Sequence, residues 1–258
     1  MDSRPIGVYD SGMGGISLWQ AIKKAMPNEA IIYLGDGQNC PYGDKTSAEI
    51  TSYAFAAVEE LLARGCKMIV VACNTATSVA IDQLRCAHPS VPFVGMEPAV
   101  KPACSSTRTG IVAVLATRKS LESDMFANTL SKYANGVEVI KCVGEGFVEL
   151  VEQGLEGTDK AYTTVKPIVE ELVYKGVDKI VLGCTHYPFL APQICRAIGD
   201  RHVEVVDPSP AIVRRIERLL DEFNLGASDE VGQADEFLSF AGAEYVNMLI
   251  NRAKELII

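Results

Sequence analysis

Short apolar, β-branched runs alternate with amphipathic stretches along almost the whole chain. Residues 6–9 (Ile-Gly-Val-Tyr) predict a strand. The glycine-rich turn after it opens a helix carrying Ile16, Trp19 and Ile22 on one side. Residues 31–34 predict a second strand. Thr46-Ser47-Ala48-Glu49 has a hydroxyl residue followed three positions later by an acid, the signature of a capped helix start. The helix it begins places Ile50, Tyr53, Ala54, Ala57, Val58 and Leu61 on one face, and Gly65 stops it. Residues 68–72 are continuously apolar, as in a strand buried on both faces.

The second half repeats this grammar. Strands are expected at 110–116, 137–143, 180–182 and 203–206, with helices at 120–133 and 159–175. Beyond residue 211 the pattern gives a helix through Ile212, Ile216, Leu219 and Leu220, one strand near 237–240 and a last helix. Strands alternating with helices imply parallel sheets, whose sites form beyond the carboxyl ends of the strands. The expected class is therefore α/β, with two similar domains, each a mainly parallel sheet flanked by helices.

An internal echo sharpens that picture. Lys-Met-Ile-Val-Val-Ala-Cys-Asn-Thr at 67–75 matches Lys-Ile-Val-Leu-Gly-Cys-Thr-His at 179–186 in outline. Both are a lysine, an apolar strand, then a cysteine followed by hydroxyl or amide residues. The runs 6–11 and 111–117 are comparable strand ends upstream. Proline-rich segments at 92–102 and 207–210 mark junctions. They predict one domain over 1–97 plus 208–258 and a second over 98–207, joined at a hinge, with the active site in the cleft between them.

Composition narrows the class of partner. The net charge of −9 disfavours nucleic acid as an obligate partner, and no polybasic run seeks an anionic membrane. No apolar stretch approaches the ~18 residues of a membrane span, and the N-terminus has no signal-peptide pattern. A cytoplasmic location is the expectation. Eight cysteines include no C-x-x-C pair, so a zinc ribbon or thioredoxin-type site has no support. Cys66, Cys86, Cys104, Cys142 and Cys195 read as small buried hydrophobes. Of the three histidines, His88 and His202 read as surface residues, whereas His186 sits in a dense polar motif.

Cys73 and Cys184 each stand at a strand end beside a helix start, where a thiol is pulled below its reference of about 8.5. Asp10-Ser11-Gly12-Met13-Gly14-Gly15 is a strand-to-helix turn whose amides suit a carboxylate or phosphate. It is neither a dinucleotide fingerprint nor a P-loop. The 35–43 segment is long enough to be a binding loop. One histidine and two separated cysteines make a poor metal set, so no metal is expected. A two-lobed small-molecule binding module and a thiol-redox protein remain as alternatives. Binding alone needs no thiolate, and cysteines on different lobes should not reach disulfide distance.

Asp-Ser-Gly-x-Gly-Gly at 10–15, Pro-Tyr-Gly at 41–43, Ala-Cys-Asn-Thr-Ala at 72–76 and Gly-Cys-Thr-His-Tyr-Pro at 183–188 resemble the glutamate racemase family, within the aspartate/glutamate racemase superfamily. The motifs keep the family's order over nearly the whole chain. Departures are Gly37 and Cys40 in the loop before Pro41, Ser120 where threonine is common, and the 142–147 stretch. The resemblance implies racemisation of glutamate with no cofactor, supplying D-glutamate for peptidoglycan, by a homodimer. Aspartate or another acidic amino acid is the alternative substrate. By the same resemblance Cys73 acts on the D-enantiomer with help from Asp10. Cys184 acts on the L-enantiomer with help from His186 and Glu152. Ser11, Pro41, Tyr42, Gly43, Asn74, Thr75, Thr117, Ser120 and Thr185 would hold the substrate, together with Asp10 and His186.

Overall fold

A computed structural model describes residues 2–227 and 234–257. The chain divides into two compact units, Met1–Met96 with Ser209–Ile258, and Glu97–Pro208. Each is a parallel sheet with flanking helices.

The first unit runs β1 (Ile6–Asp10), α1 (Ile16–Ala25), β2 (Ile31–Gly35), α2 (Ser47–Ala63), β3 (Met68–Val71), α3 (Asn74–Ala87) and β4 (Phe93–Gly95). The second comprises α4 (Val100–Ser106), β5 (Ile111–Ala116), α5 (Arg118–Leu121), α6 (Asp124–Tyr133), β6 (Glu138–Val143), α7 (Phe147–Glu152), α8 (Asp159–Tyr174), β7 (Lys179–Gly183), α9 (Ala191–Ile198) and β8 (Glu204–Val206). The chain then returns to the first unit with α10 (Ser209–Glu222), β9 (Glu236–Leu238) and α11 (Ala243–Ile257).

Strand order in the first sheet is β4-β3-β1-β2-β9, and in the second β6-β5-β7-β8. All pairings are parallel. Read from the other edge, the second sheet repeats the first: β8, β7, β5, β6 stand where β4, β3, β1, β2 do. The two cysteine-bearing strand ends, β3 and β7, thus occupy equivalent places in their own sheets. The central strands β1, β3 and β7 are wholly buried, which explains their continuous apolar runs; the edge strands β6 and β8 are only half-buried. In the first unit α2 packs on α3, and α1 packs on α10 and α11. In the second α8 packs on α9, and α4 on α6.

Local chemistry accounts for most boundaries. Thr46 and Glu49 form the expected reciprocal cap of α2. The helix expected over 120–133 is instead two, because Ser123 leaves the helical conformation and caps the Phe126 amide to start α6. The proline-rich 92–102 segment is more than a junction. It contains β4, paired with β3, and the start of α4, whose Val100, Ala103 and Cys104 join a core with Val112, Val114, Phe126 and Val181. The lysines that open both echo motifs are buried in ion pairs, Lys67 with Glu29 at 2.6 Å and Lys179 with Glu204.

Candidate active site

In the first unit, β1, β2 and β3 deliver polar side chains to one end of the sheet. Asp10 closes β1, Asp36 follows β2, and Cys73 follows β3. Cys73 is also the cap of α3: its sulfur accepts from the Ala76 amide at 3.4 Å. The thiol in turn donates to Ser11 Oγ at 3.3 Å. Both protonation states of this sulfur therefore have a partner. Asn74, Thr75 and Thr77 are buried on the first turn of α3. Thr77 is used structurally, its hydroxyl donating to Val71 O and accepting from Met96 N. Asn74 Nδ2 donates to Met96 O at 3.4 Å, while Asn74 Oδ1 is buried with no hydrogen-bond partner among the described residues.

Asp10 is fully buried, and its carboxyl accepts the Gly12 amide at 3.1 Å. That amide is spent inside the turn, so the glycine-rich segment is less of an open anion cradle than its composition suggests. Gly15 is needed there because a Cβ would come within 2.7 Å of the Asp10 side chain and 2.9 Å of Tyr33 Oη.

The second unit assembles a different partner set around its cysteine. Register pairing of Ala116 with Gly183 puts Thr117 and Cys184 at adjacent strand ends. Cys184 Sγ lies 3.7 Å from His186 Nδ1, and Thr185 Oγ1 lies 3.5 Å from the same nitrogen. The other face of the imidazole meets Glu152 at 2.6 Å, through Nε2. His186 is buried at 1% exposure, and the 2.6 Å contact with Glu152 fixes its ring plane. α7 brings Glu152 to this position through a packed hub. Phe147 stacks edge-on against Tyr187 at 5.2 Å, and the Tyr187 hydroxyl donates to Gly144 O at 3.3 Å. Burial holds Tyr187 well above the ordinary tyrosine range, with Cys184, Cys142 and Glu149 adding to the effect. It remains a neutral donor. Thr117 caps α5 through Ser120 N, and its hydroxyl donates to Ser120 Oγ at 3.0 Å.

Each unit thus gathers its own residues of the expected set: Asp10, Ser11, Cys73, Asn74 and Thr75 in one, and Thr117, Ser120, Glu152, Cys184, Thr185 and His186 in the other. Pro41 and Gly43 are half-buried on the loop after β2. Tyr42, between them, is buried, and its hydroxyl is engaged within the protein. The side chain is 2% exposed, its hydroxyl donates to Asp36 at 2.6 Å and accepts from Tyr9 at 2.7 Å. Asp36 and Tyr9 carry no signal in the sequence, because an acid after a strand and a tyrosine inside one are both ordinary. Three expectations need correcting. Cys86 and Cys195 are exposed rather than buried, and His88 is partly buried, its ring between Phe55 and Phe93 and its Nε2 3.1 Å from Glu59.

Residues 16–216 match the family model described as Asp/Glu/Hydantoin racemase. A curated glutamate racemase from Roseiflexus sp. (strain RS-1) is 42% identical over 223 residues, covering 86% of this chain and 82% of its own. The crystal structure of Escherichia coli glutamate racemase, in complex with L-glutamate and the activator UDP-MurNAc-ala, superposes with a TM-score of 0.87 at 32% identity, over 98% of this chain and 95% of that one. Glutamate racemase from Francisella tularensis subsp. tularensis SCHU S4, in complex with D-glutamate, gives 0.84 at 27% identity, over 99% and 95%.

Proposed function

This chain belongs to the Asp/Glu/hydantoin racemase family, and on that premise we propose that it interconverts L- and D-glutamate with Cys73 and Cys184 as its two acid–base groups. The observation that carries the reading is the repeated half-site: equivalent strands of two like-ordered sheets each end in a cysteine with its own proton partners. Relatives captured with either enantiomer support glutamate as the substrate.

Inversion at Cα demands that a proton leave one face and another arrive on the opposite face. In this reading one cysteine is a thiolate and takes the Cα proton, becoming a thiol. The electron pair left behind is delocalised into the substrate carboxylate. The second cysteine, a thiol, then delivers its proton to the other face and is left as thiolate. Charge and protons balance, and the reverse reaction exchanges the roles.

The two half-sites equip their thiols by different means. The Ala76 amide at a helix N-terminus is the kind of donor a thiolate needs. Asp10, one strand over, is assigned to assist Cys73. The 3.7 Å approach of His186 to Cys184, backed by Glu152, supplies a group that can hold the thiol proton. Asn74 Oδ1, buried with no hydrogen-bond partner among the described residues, is assigned to accept from the substrate ammonium. Thr75, Thr117, Ser120 and Thr185 complete the assigned donor set.

We extend the reading to a cytoplasmic homodimer that furnishes D-glutamate for peptidoglycan. Circular dichroism of L-glutamate incubated with the purified enzyme, with no cofactor added, tests the activity. The signal decays to zero in this account, and Cys73→Ala and Cys184→Ala each abolish the decay. Retention of full activity by either variant contradicts the two-cysteine assignment.

A further inference from the structure

The loop between β2 and α2 contains the Pro41-Tyr42-Gly43 motif, yet between residues 37 and 49 only Tyr42 is buried. A loop with one buried side chain is held by that side chain. Tyr42 is anchored by a chain of hydrogen bonds: Tyr9 Oη donates to Tyr42 Oη at 2.7 Å, and Tyr42 Oη donates to Asp36 Oδ2 at 2.6 Å. Asn39 Nδ2 donates to both oxygens of Asp36, at 3.1 and 3.0 Å, and the Asp36 amide donates to Asp10 O at 2.9 Å. Tyr9 and Asp36 are fully buried. Burial pushes both tyrosines above their ordinary range, so their hydroxyls stay protonated and keep donating.

From the outer side Gly37 presses on the Tyr245 ring so closely that a Cβ would lie 2.4 Å from Cζ. That approach leaves no room for a side chain at position 37. The loop is therefore clamped between a buried polar chain and an aromatic ring.

We propose that Tyr9 and Asp36 are positioning residues for substrate binding, fixing through Tyr42 the backbone of the Pro41–Gly43 loop, and that the Tyr42 hydroxyl serves this latch rather than the substrate. The proposal rests on the racemase reading above for what the loop binds. With one hydroxyl removed, the loop loses its fixed shape, and binding weakens while the chemistry at the cysteines is untouched.

Two measurements test it on the full chain. The first is hydrogen–deuterium exchange of substrate-free protein, read on peptides covering residues 37–45. Tyr9→Phe and Asp36→Asn accelerate exchange there by roughly 3- to 10-fold, the worth of one buried hydrogen bond, and leave peptides from α8 and α9 unchanged. Unaltered exchange in the loop overturns the latch, whether or not the protein turns over glutamate. The second is kinetics. Tyr9→Phe and Tyr42→Phe each raise KM for glutamate by a similar factor, of the same order, with kcat within about twofold. The double variant is no worse than either single one, because both break the same chain. A rise in KM confined to Tyr42→Phe, or effects that simply add, overturns the proposal in favour of direct substrate binding by the hydroxyl. So does a fall in kcat at constant KM.

Discussion

His186→Asn is the substitution that loads the proposed mechanism most heavily. The imidazole touches Cys184 Sγ at 3.7 Å on one side and Glu152 Oε1 at 2.6 Å on the other. Asparagine is too short to span both. The stronger of these two interactions is a hydrogen bond to a charged group, worth about 1.5–3 kcal/mol, and the one to sulfur adds less. Glu152 is 17% exposed in its side chain, so water can solvate it once the histidine is gone. That moderates the effect towards roughly 2 kcal/mol, a fall of about 30-fold in rate. Enantiomers have equal free energy, so kcat/KM must fall by the same factor in both directions. The kcat values need not. Where Cys184 abstracts the proton, from L-glutamate, kcat should drop further than in the reverse direction, with KM adjusting to keep the ratio. Circular dichroism started from each pure enantiomer in turn gives all four constants. A change in kcat/KM below about threefold, in protein with an unaltered melting midpoint, refutes the relay.

Two further predictions concern the frame around that relay. In Gly144→Ala the new Cβ would lie 2.5 Å from Tyr187 Oη and 2.7 Å from Phe147, both buried; overpacking of this kind costs roughly 1–3 kcal/mol. A thermal midpoint lowered by several degrees, with reduced activity as α7 shifts, is expected in a melting scan; an unchanged midpoint counts against the hub. Asp178 ties the turn before β5, accepting from Thr107 Oγ1 at 2.5 Å and the Arg108 amide at 2.6 Å. Burial alone would raise its pKa, but these hydrogen bonds outweigh that and set it below 3.8. A lowered carboxyl pKa contributes stability that is present above 3.8 and lost as pH falls through the folded value. Asp178→Asn should therefore destabilise the protein at neutral pH, with the difference shrinking below that value; a difference constant down to pH 2 contradicts the sign.

What could be read from sequence was what is written locally. The apolar runs of β1, β3 and β7, the Thr46–Glu49 cap and the paired cysteine motifs all depend on residues within a few positions of one another. The break at Ser123 is also local, but a serine inside a periodic stretch gives the same apolar pattern whether it faces solvent or caps a new helix. The proline-rich 92–102 segment conceals β4 and α4 because proline composition outweighs a three-residue strand and a seven-residue helix. Pairs at long separation are out of reach of periodicity. Tyr9 and Tyr42 are 33 residues apart, and Glu152 and His186 are 34 apart. The first pair meets only because β1 and β2 are neighbours in register; the second meets because Phe147 and Tyr187 lock α7 beside the 186–190 turn. Exposure of Cys86 and Cys195 follows from their positions on the outer sides of α3 and α9, which hydrophobicity of the residue type does not reveal.

The claim that two different thiols do the chemistry is tested most directly by running the reaction from one pure enantiomer in D₂O. At early times, product and remaining substrate are separated and deuterium at Cα is read by mass spectrometry. If one cysteine abstracts and the other donates, the donor already carries a deuteron from solvent. Every product molecule is then labelled, while a proton returned by the abstracting thiol regenerates unlabelled substrate. Early product deuterated at Cα, alongside largely unlabelled substrate, is expected from either starting enantiomer. Early product that retains the original hydrogen would mean a single group carries the proton across, and would contradict the two-cysteine mechanism even if both cysteines proved essential.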